Sequence, residues 1–317
     1  MYYWQEKNLK IDKNSKILIG LGDSFTQGQG ACSIDLWERY NWDQDYMNQE
    51  ILTDVLESNY ENSWVNKICK NYLTDFTPIN FGMLGRGNRA STSELFLHPE
   101  LNLEIAKEKI VVFMLSGRER FDFVHKNYAE HVHFKTIWPS LNKNNSEYEF
   151  FKNYAENVYS EKSSIIELLL NISIVKNWCI LNNAKLVLIS GFERDINRQS
   201  FIDNIRGEDN YDNTMHRHLD KIENLVDIVN WDTFLYPNTK SCVTDLLLTL
   251  ENREDVIVGK LGENFVSYTE SFDKLSEHGY ITKCSHPSYK GHEVISEIIY
   301  KHIITMGDCL IPKIKLI

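Results

Sequence analysis

Lys16 to Gly28 reads KILIGLGDSFTQG, and the fold turns on how that stretch is read. Ile17, Leu18 and Ile19 form a short apolar run of the kind that makes a buried strand. Gly20 and Gly22 follow, then Asp23 and Ser24. Glycines just past a strand let the backbone turn sharply at the sheet edge. A serine there stands at the carboxyl end of a strand, where open α/β sheets place their ligands. An isolated Gly-Asp-Ser is equally an ordinary turn with a helix-capping Ser or Asp. The rest of the chain has to decide between the two.

Working outward, further strands are expected at Thr77 to Gly82, at Lys109 to Leu115 (KIVVFML), at Ala184 to Ser190 (AKLVLIS) and at Leu225 to Asn230 (LVDIVN). Helical spacing runs through Ser63 to Tyr72, through Ala90 to Glu104 with Pro99 interrupting, and through Glu149 to Leu181. In the last of these, Ser164 with Glu167 could form a capping box, ahead of an apolar face at Ile165, Leu168, Leu169, Ile172 and Val175. Tyr289 to Thr305 closes the chain as an amphipathic helix. Short strands alternating with helices imply right-handed crossovers and a parallel sheet covered on both faces. Three stretches break the alternation and read as insertions into one α/β domain spanning 1–317: approximately 31–62, 118–148 and 194–280. The first carries Trp37, Tyr40, Trp42, Tyr46 and Tyr60 among many acids. Such aromatics can stack on sugar faces, or can cover a small satellite core.

Composition bounds the function. The 317 residues carry a net charge of -11, which argues against a nucleic-acid-binding surface. The six cysteines show no C-x-x-C pairing and read as scattered reduced thiols, not as a disulfide framework or a zinc site. The first residues, MYYWQEKNLKIDKNSK, lack the apolar core of a signal peptide, and the longest apolar candidate for a membrane span is broken by Glu167 and Asn171. The expectation is a soluble protein with no membrane span, cytoplasmic or released without a signal peptide. His131-x-His133 and His216-x-His218 have spacings that a metal could use, but neither has a third ligand nearby, so they read as surface histidines.

The string GDSFTQG resembles the first block of the SGNH (GDSL-type) serine hydrolases, in which that serine is the nucleophile. It differs from the G-x-S-x-G elbow, because Thr26 stands where the second glycine would be. Near the other end, Cys284-Ser285-His286-Pro287 precedes the terminal helix and resembles the family's last block, whose histidine is the general base. A serine hydroxyl is a weak nucleophile until a base takes its proton, and imidazole titrates in the useful range. His278 and His292 are second choices for the base. Asn80-x-Gly82-x-x-Gly85 resembles the second block, so the resemblance assigns Gly85, with the backbone N–H of Ser24, to an oxyanion hole.

Two residues depart from the family. Its third block ends in Gly-x-Asn-Asp, the asparagine completing the oxyanion hole. Here the strand runs into Leu115-Ser116-Gly117-Arg118-Glu119-Arg120, which puts Arg118 in the asparagine's position. Arg118 or Arg120 could supply N–H donors, or either could pair with Glu119 or Asp122. The family's triad aspartate is here Lys283. The imidazole is then oriented by a backbone carbonyl, by a carboxylate from elsewhere, or not at all; a Ser–His dyad can still work.

The resemblance therefore implies a three-layer α/β/α sandwich with a parallel five-stranded, flavodoxin-like sheet plus insertions. It implies a serine esterase that uses Ser24, His286, Gly85 and Arg118 with no metal or cofactor. The implied partner is an ester substrate, with an O-acetyl ester on a carbohydrate suggested by the aromatic, acidic insertion. The alternative is an inactive binding or structural module on the same fold, its catalysis lost with the two departures. A phosphodiesterase or nuclease is a more distant third.

Overall fold

The computed structural model describes residues 9–33, 36, 49–124, 134–137, 148–206, 223–237, 242–252, 279–282 and 286–313. Five strands form one parallel sheet: β1 (Lys16–Leu21), β2 (Thr77–Asn80), β3 (Glu108–Leu115), β6 (Lys185–Ser190) and β7 (Phe234–Leu235), in the order β2-β1-β3-β6-β7. β4 (Phe121–Val124) and β5 (Phe134–Ile137) pair separately as an antiparallel hairpin inside the second insertion.

Alternation along the strands explains the layers. Ile17, Ile19 and Leu21 of β1, with Val111, Phe113 and Leu115 of β3, face one core; Leu18, Ile110, Val112 and Met114 face the other. The first core is covered by α4 (Asn88–Leu97), α6 (Glu161–Leu181) and α7 (Arg198–Arg206). The second is covered by α3 (Trp64–Asn71), α8 (Val243–Leu250) and α9 (Tyr289–Met306). α1 (Ser24–Gln27) is a single turn after β1, α2 (Gln49–Glu61) fills part of the first insertion, and α5 (Tyr148–Asn157) precedes α6. α6 is long and apolar enough to cross a membrane by length and composition, but half of it is buried against the sheet.

The chain leaves β1 in one direction to β2 and in the other to β3, β6 and β7. The order reverses between β1 and β3, and a doubly wound sheet opens a crevice beyond its strand ends at that point.

Two expected elements are corrected. Residues 225–230 are not the fifth strand: 223–226 are helical and turns follow, while β7 lies later and pairs through only two residues. Val226 and Val229, both buried, sit three apart, which is helical spacing. The region from Glu149 to Leu181 is two helices. α6 begins at a Ser160–Ser163 capping box in place of the expected Ser164–Glu167 pair.

Candidate active site

Ser24 is the first residue of α1, immediately beyond the carboxyl end of β1. The preceding turn depends on Gly22, whose φ is +151°. A Cβ there would lie 2.3 Å from Thr26 Oγ1 and 2.9 Å from the Met114 carbonyl, so the β1 and β3 ends can approach only because that position lacks a side chain. Asp23 caps α1 by accepting from the Phe25 N–H at 3.0 Å. Its carboxylate is buried and also accepts from Ser116 Oγ (3.0 Å) and Arg120 Nη1 (2.8 Å). Burial pushes the Asp23 carboxyl above its ordinary value, and Arg120 and the hydrogen bonds oppose that shift.

His286 arrives from the other end of the chain. Thr282 donates its N–H and its hydroxyl to the His286 carbonyl at 2.8 and 2.9 Å, and Ile281 bridges Pro287. This pairing sets His286 just ahead of the Ser288 cap of α9. It presents His286 Nε2 at 2.8 Å from Ser24 Oγ. Gly30, at φ +88°, lets the loop after α1 lie against Pro287 and His286; a Cβ there would meet the Pro287 carbonyl at 2.6 Å. Phe25 meets the His286 ring edge-on at 5.6 Å and packs on Phe192 at 4.1 Å, an apolar wall beside the pair.

The glycine-rich loop after β2 also closes on α1. Asn80 Nδ2 donates to the Thr26 carbonyl (2.7 Å) and to Ser63 Oγ (3.1 Å), while its Oδ1 accepts from the Gly82 N–H (2.8 Å). Gly82 touches α1 so closely that a Cβ would fall 2.2 Å from the Gln27 nitrogen. Gly85, at φ +74°, is the third residue of a turn closed by the Arg86 N–H on the Met83 carbonyl at 3.3 Å.

Arg118 is where expectation and structure part. Its Nε and backbone N–H donate to the Glu193 carboxylate, and its Nη2 lies 3.3 Å from Glu161. The acid that holds it follows β6, and is neither Glu119 nor Asp122, because β6 is the neighbouring strand and delivers Glu193 beside the end of β3. Asp122 instead accepts from the Gly87 and Ala90 N–H groups at 3.0 and 2.9 Å, tying the β4–β5 hairpin to the start of α4. Arg120, the other arginine of this loop, reaches Asp23.

His292 does not serve as a base here. It is fully buried, its Nδ1 accepts from the Trp64 N–H at 3.2 Å, and burial drives its pKa down to about 3. His131, His133, His216, His218 and His278 lie outside the described residues, as do Lys283, Cys284 and the aromatics Trp37, Tyr40, Trp42 and Tyr46. Among the described residues, no group of three or more His, Cys, Asp or Glu side chains is arranged to hold a metal. Cys32, Cys69, Cys179, Cys242 and Cys309 carry free thiols.

Sequence reasoning overlooked Asp23, Ser116, Phe192 and Glu193. Asp23 had a signal, since a carboxylate directly before the nucleophile candidate must be bonded if it is buried. Ser116 sits at the end of β3, beside the switch point. Glu193 carries no local sequence signal.

Fold and site together define an α/β protein with a five-stranded parallel sheet and a Ser–His pair beyond the ends of its central strands. No family model matches the chain, and no curated protein matches it. Among solved structures, the chain is similar to LAE5, an α/β-hydrolase enzyme from the metagenome of Lake Arreo, Spain. That similarity has a TM-score of 0.36 and 10% identity, over 91% of this chain and 95% of the other. The architecture described above is defined by the chain's own sheet order and layering.

Proposed function

We propose that this protein is a serine hydrolase of the SGNH type that cleaves a carboxylic ester by acyl transfer. The observation that carries the proposal is the 2.8 Å approach of His286 Nε2 to Ser24 Oγ. It joins two motif blocks from opposite ends of the chain at the switch point of a parallel sheet. In the proposed cycle His286 Nε2 accepts the Ser24 proton as Oγ attacks the ester carbonyl. The developing oxyanion is held by the backbone N–H groups of Ser24 and Gly85. His286 then returns the proton to the leaving alcohol oxygen, and the same base activates water to release the acyl group from Ser24. No cofactor takes part. The substrate class we favour is an O-acetyl ester on a carbohydrate.

A second reading is a binding module on the same fold. The engagement of Arg118 by Glu193 favours it, since the side chain in the asparagine's position is committed elsewhere. One experiment separates the two. Hydrolysis of p-nitrophenyl acetate, and labelling by a fluorophosphonate probe, are measured for wild type, Ser24→Ala and His286→Ala. The hydrolase reading expects turnover and labelling in wild type and loss of both in Ser24→Ala. Equal rates for wild type and Ser24→Ala would overturn it.

A further inference from the structure

We infer that Arg120 is a positioning residue that clamps the Ser24 turn to the loop bearing Gly85; the inference rests on the serine-hydrolase reading of this site. Three loops meet at the switch point, one from each of β1, β2 and β3. Arg120 belongs to the third. Its Nη1 donates to Asp23 Oδ2, next to Ser24, and to the Arg86 carbonyl, next to Gly85, both at 2.8 Å. Ser116 Oγ, from the same loop, lies 3.0 Å from each of the same two acceptors and shares its single proton between them. Arg120 Nη1, with two N–H groups, is therefore the donor that bridges the nucleophile turn and the glycine loop outright, with Ser116 beside it.

The clamp also reaches the base. The Arg120 guanidinium lies over the Phe192 ring at 5.2 Å, and Phe192 packs on Phe25, which meets the His286 ring. Its side chain is 14% exposed, against 1% for Asp23, so both charges are largely out of water and depend on one another. A planar guanidinium suits this place, because one nitrogen carries two N–H groups for two acceptors while the flat face stacks on an aromatic ring. With Nη1 spent on Asp23 and Arg86, Arg120 fixes the distance between the two backbone amides of the proposed oxyanion hole and does not itself touch the reacting atoms. Oxyanion donors act only when held at the right separation before charge develops.

The test compares wild type, Arg120→Ala and Arg120→Lys by two readouts: the rate of Ser24 labelling by a fluorophosphonate probe, and the NMR signal of the His286 ring in histidine-labelled protein. Removing the guanidinium should slow labelling at least tenfold and move the His286 signal. Lysine, which keeps the charge and a donor, should recover part of the rate. If Arg120→Ala does not fold, because Asp23 is left buried without its cation, Arg120→Lys carries the test through a slower rate and a moved signal. Labelling within twofold of wild type with an unmoved His286 signal in the folded variants overturns the inference. If wild type itself is not labelled, the serine-hydrolase reading fails, and the His286 signal decides on Arg120 alone: a shift supports the clamp and no shift overturns it.

Discussion

Truncating Arg118 to alanine removes a guanidinium whose Nε is bonded to Glu193 and whose Nη2 lies 3.3 Å from Glu161. Arg118 and Glu193 side chains are each 15% exposed, so the truncation leaves a carboxyl group largely out of water, holding only the Arg118 backbone N–H. Breaking a fully buried pair costs about 3–5 kcal/mol. Glu193 can escape part of that by taking up a proton, because burial already pushes its carboxyl up, to about 7; the expected loss is therefore about 2 kcal/mol near pH 8. The pH dependence follows from linkage. A carboxyl whose folded pKa is raised contributes stability that is complete below its unfolded pKa and is lost as pH rises through the folded one. Arg118 favours the ionised form, so its removal raises the folded pKa of Glu193 further. The deficit of Arg118→Ala should be small at pH 5 and larger at pH 8. Urea unfolding at both pH values, beside p-nitrophenyl acetate turnover, reads the two effects separately. Turnover should stay within the same order of magnitude, because Nε and Nη2 are committed and Nη1 is fully buried. Loss of an oxyanion donor would instead lower turnover by about 10²–10³. A drop of that size with an unchanged, pH-independent stability would refute the reasoning.

Gly30→Ala should push His286 and Pro287 away from Ser24, since its Cβ would fall 2.6 Å from the Pro287 carbonyl. Ester hydrolysis is expected to fall by about 10- to 100-fold, the scale of a displacement near 1 Å, and an unaltered rate would show that the loop yields without moving the histidine. His292 is held neutral in the fold, with its pKa down at about 3 against an ordinary 6.5. Below pH 6.5 the unfolded chain gains a proton that the folded one refuses, so this residue should cost about 1.4 kcal/mol of stability per pH unit on acidification. His292→Asn keeps an acceptor for the Trp64 N–H without titrating, so its stability should decline less steeply from pH 6.5 to 4.5; parallel curves for the two proteins would contradict the assignment.

The sheet was legible because β1, β3 and β6 are apolar runs that end in or run into glycine or serine, and a buried parallel strand needs little more. β7 was missed because two paired residues make no periodic signal, whereas Leu225, Val226, Ile228 and Val229 make a strong apolar one that is helical. The meeting of Ser24 and His286 was legible because each sits in a short local string, one just after the first strand and the other just before the last helix. The spacing Asn80-x-Gly82-x-x-Gly85 could be read for its glycines. The role of its asparagine, binding the Thr26 carbonyl and the Gly82 N–H together, could not. Contacts made by long charged side chains were the least legible. Arg118 meets Glu193 across 75 residues and Arg120 meets Asp23 across 97, and only the order of the strands makes those pairs neighbours.

That order gives the two arginines a common logic. β3 lies between β1 and β6. The turn after β3, closed by the Arg120 N–H on the Gly117 carbonyl, sends Arg120 to an acid beyond β1 and Arg118 to an acid beyond β6. The residue type that departs from the SGNH pattern thus staples the central loop to both of its neighbours, and each staple ends on a carboxylate with little exposure to water. Each cation is therefore balanced before any substrate arrives. A phosphate drawn to Arg120 Nη1 or Arg118 Nε would compete with Asp23 or Glu193, each an acid with little exposure to water. A neutral carboxylic ester makes no such demand. On the proposed reading it would call on the Ser24 hydroxyl, the His286 imidazole and backbone donors, none of which is tied up by either staple. The same balance weighs against the phosphodiesterase reading, which would need a cation near Ser24 free to change partners.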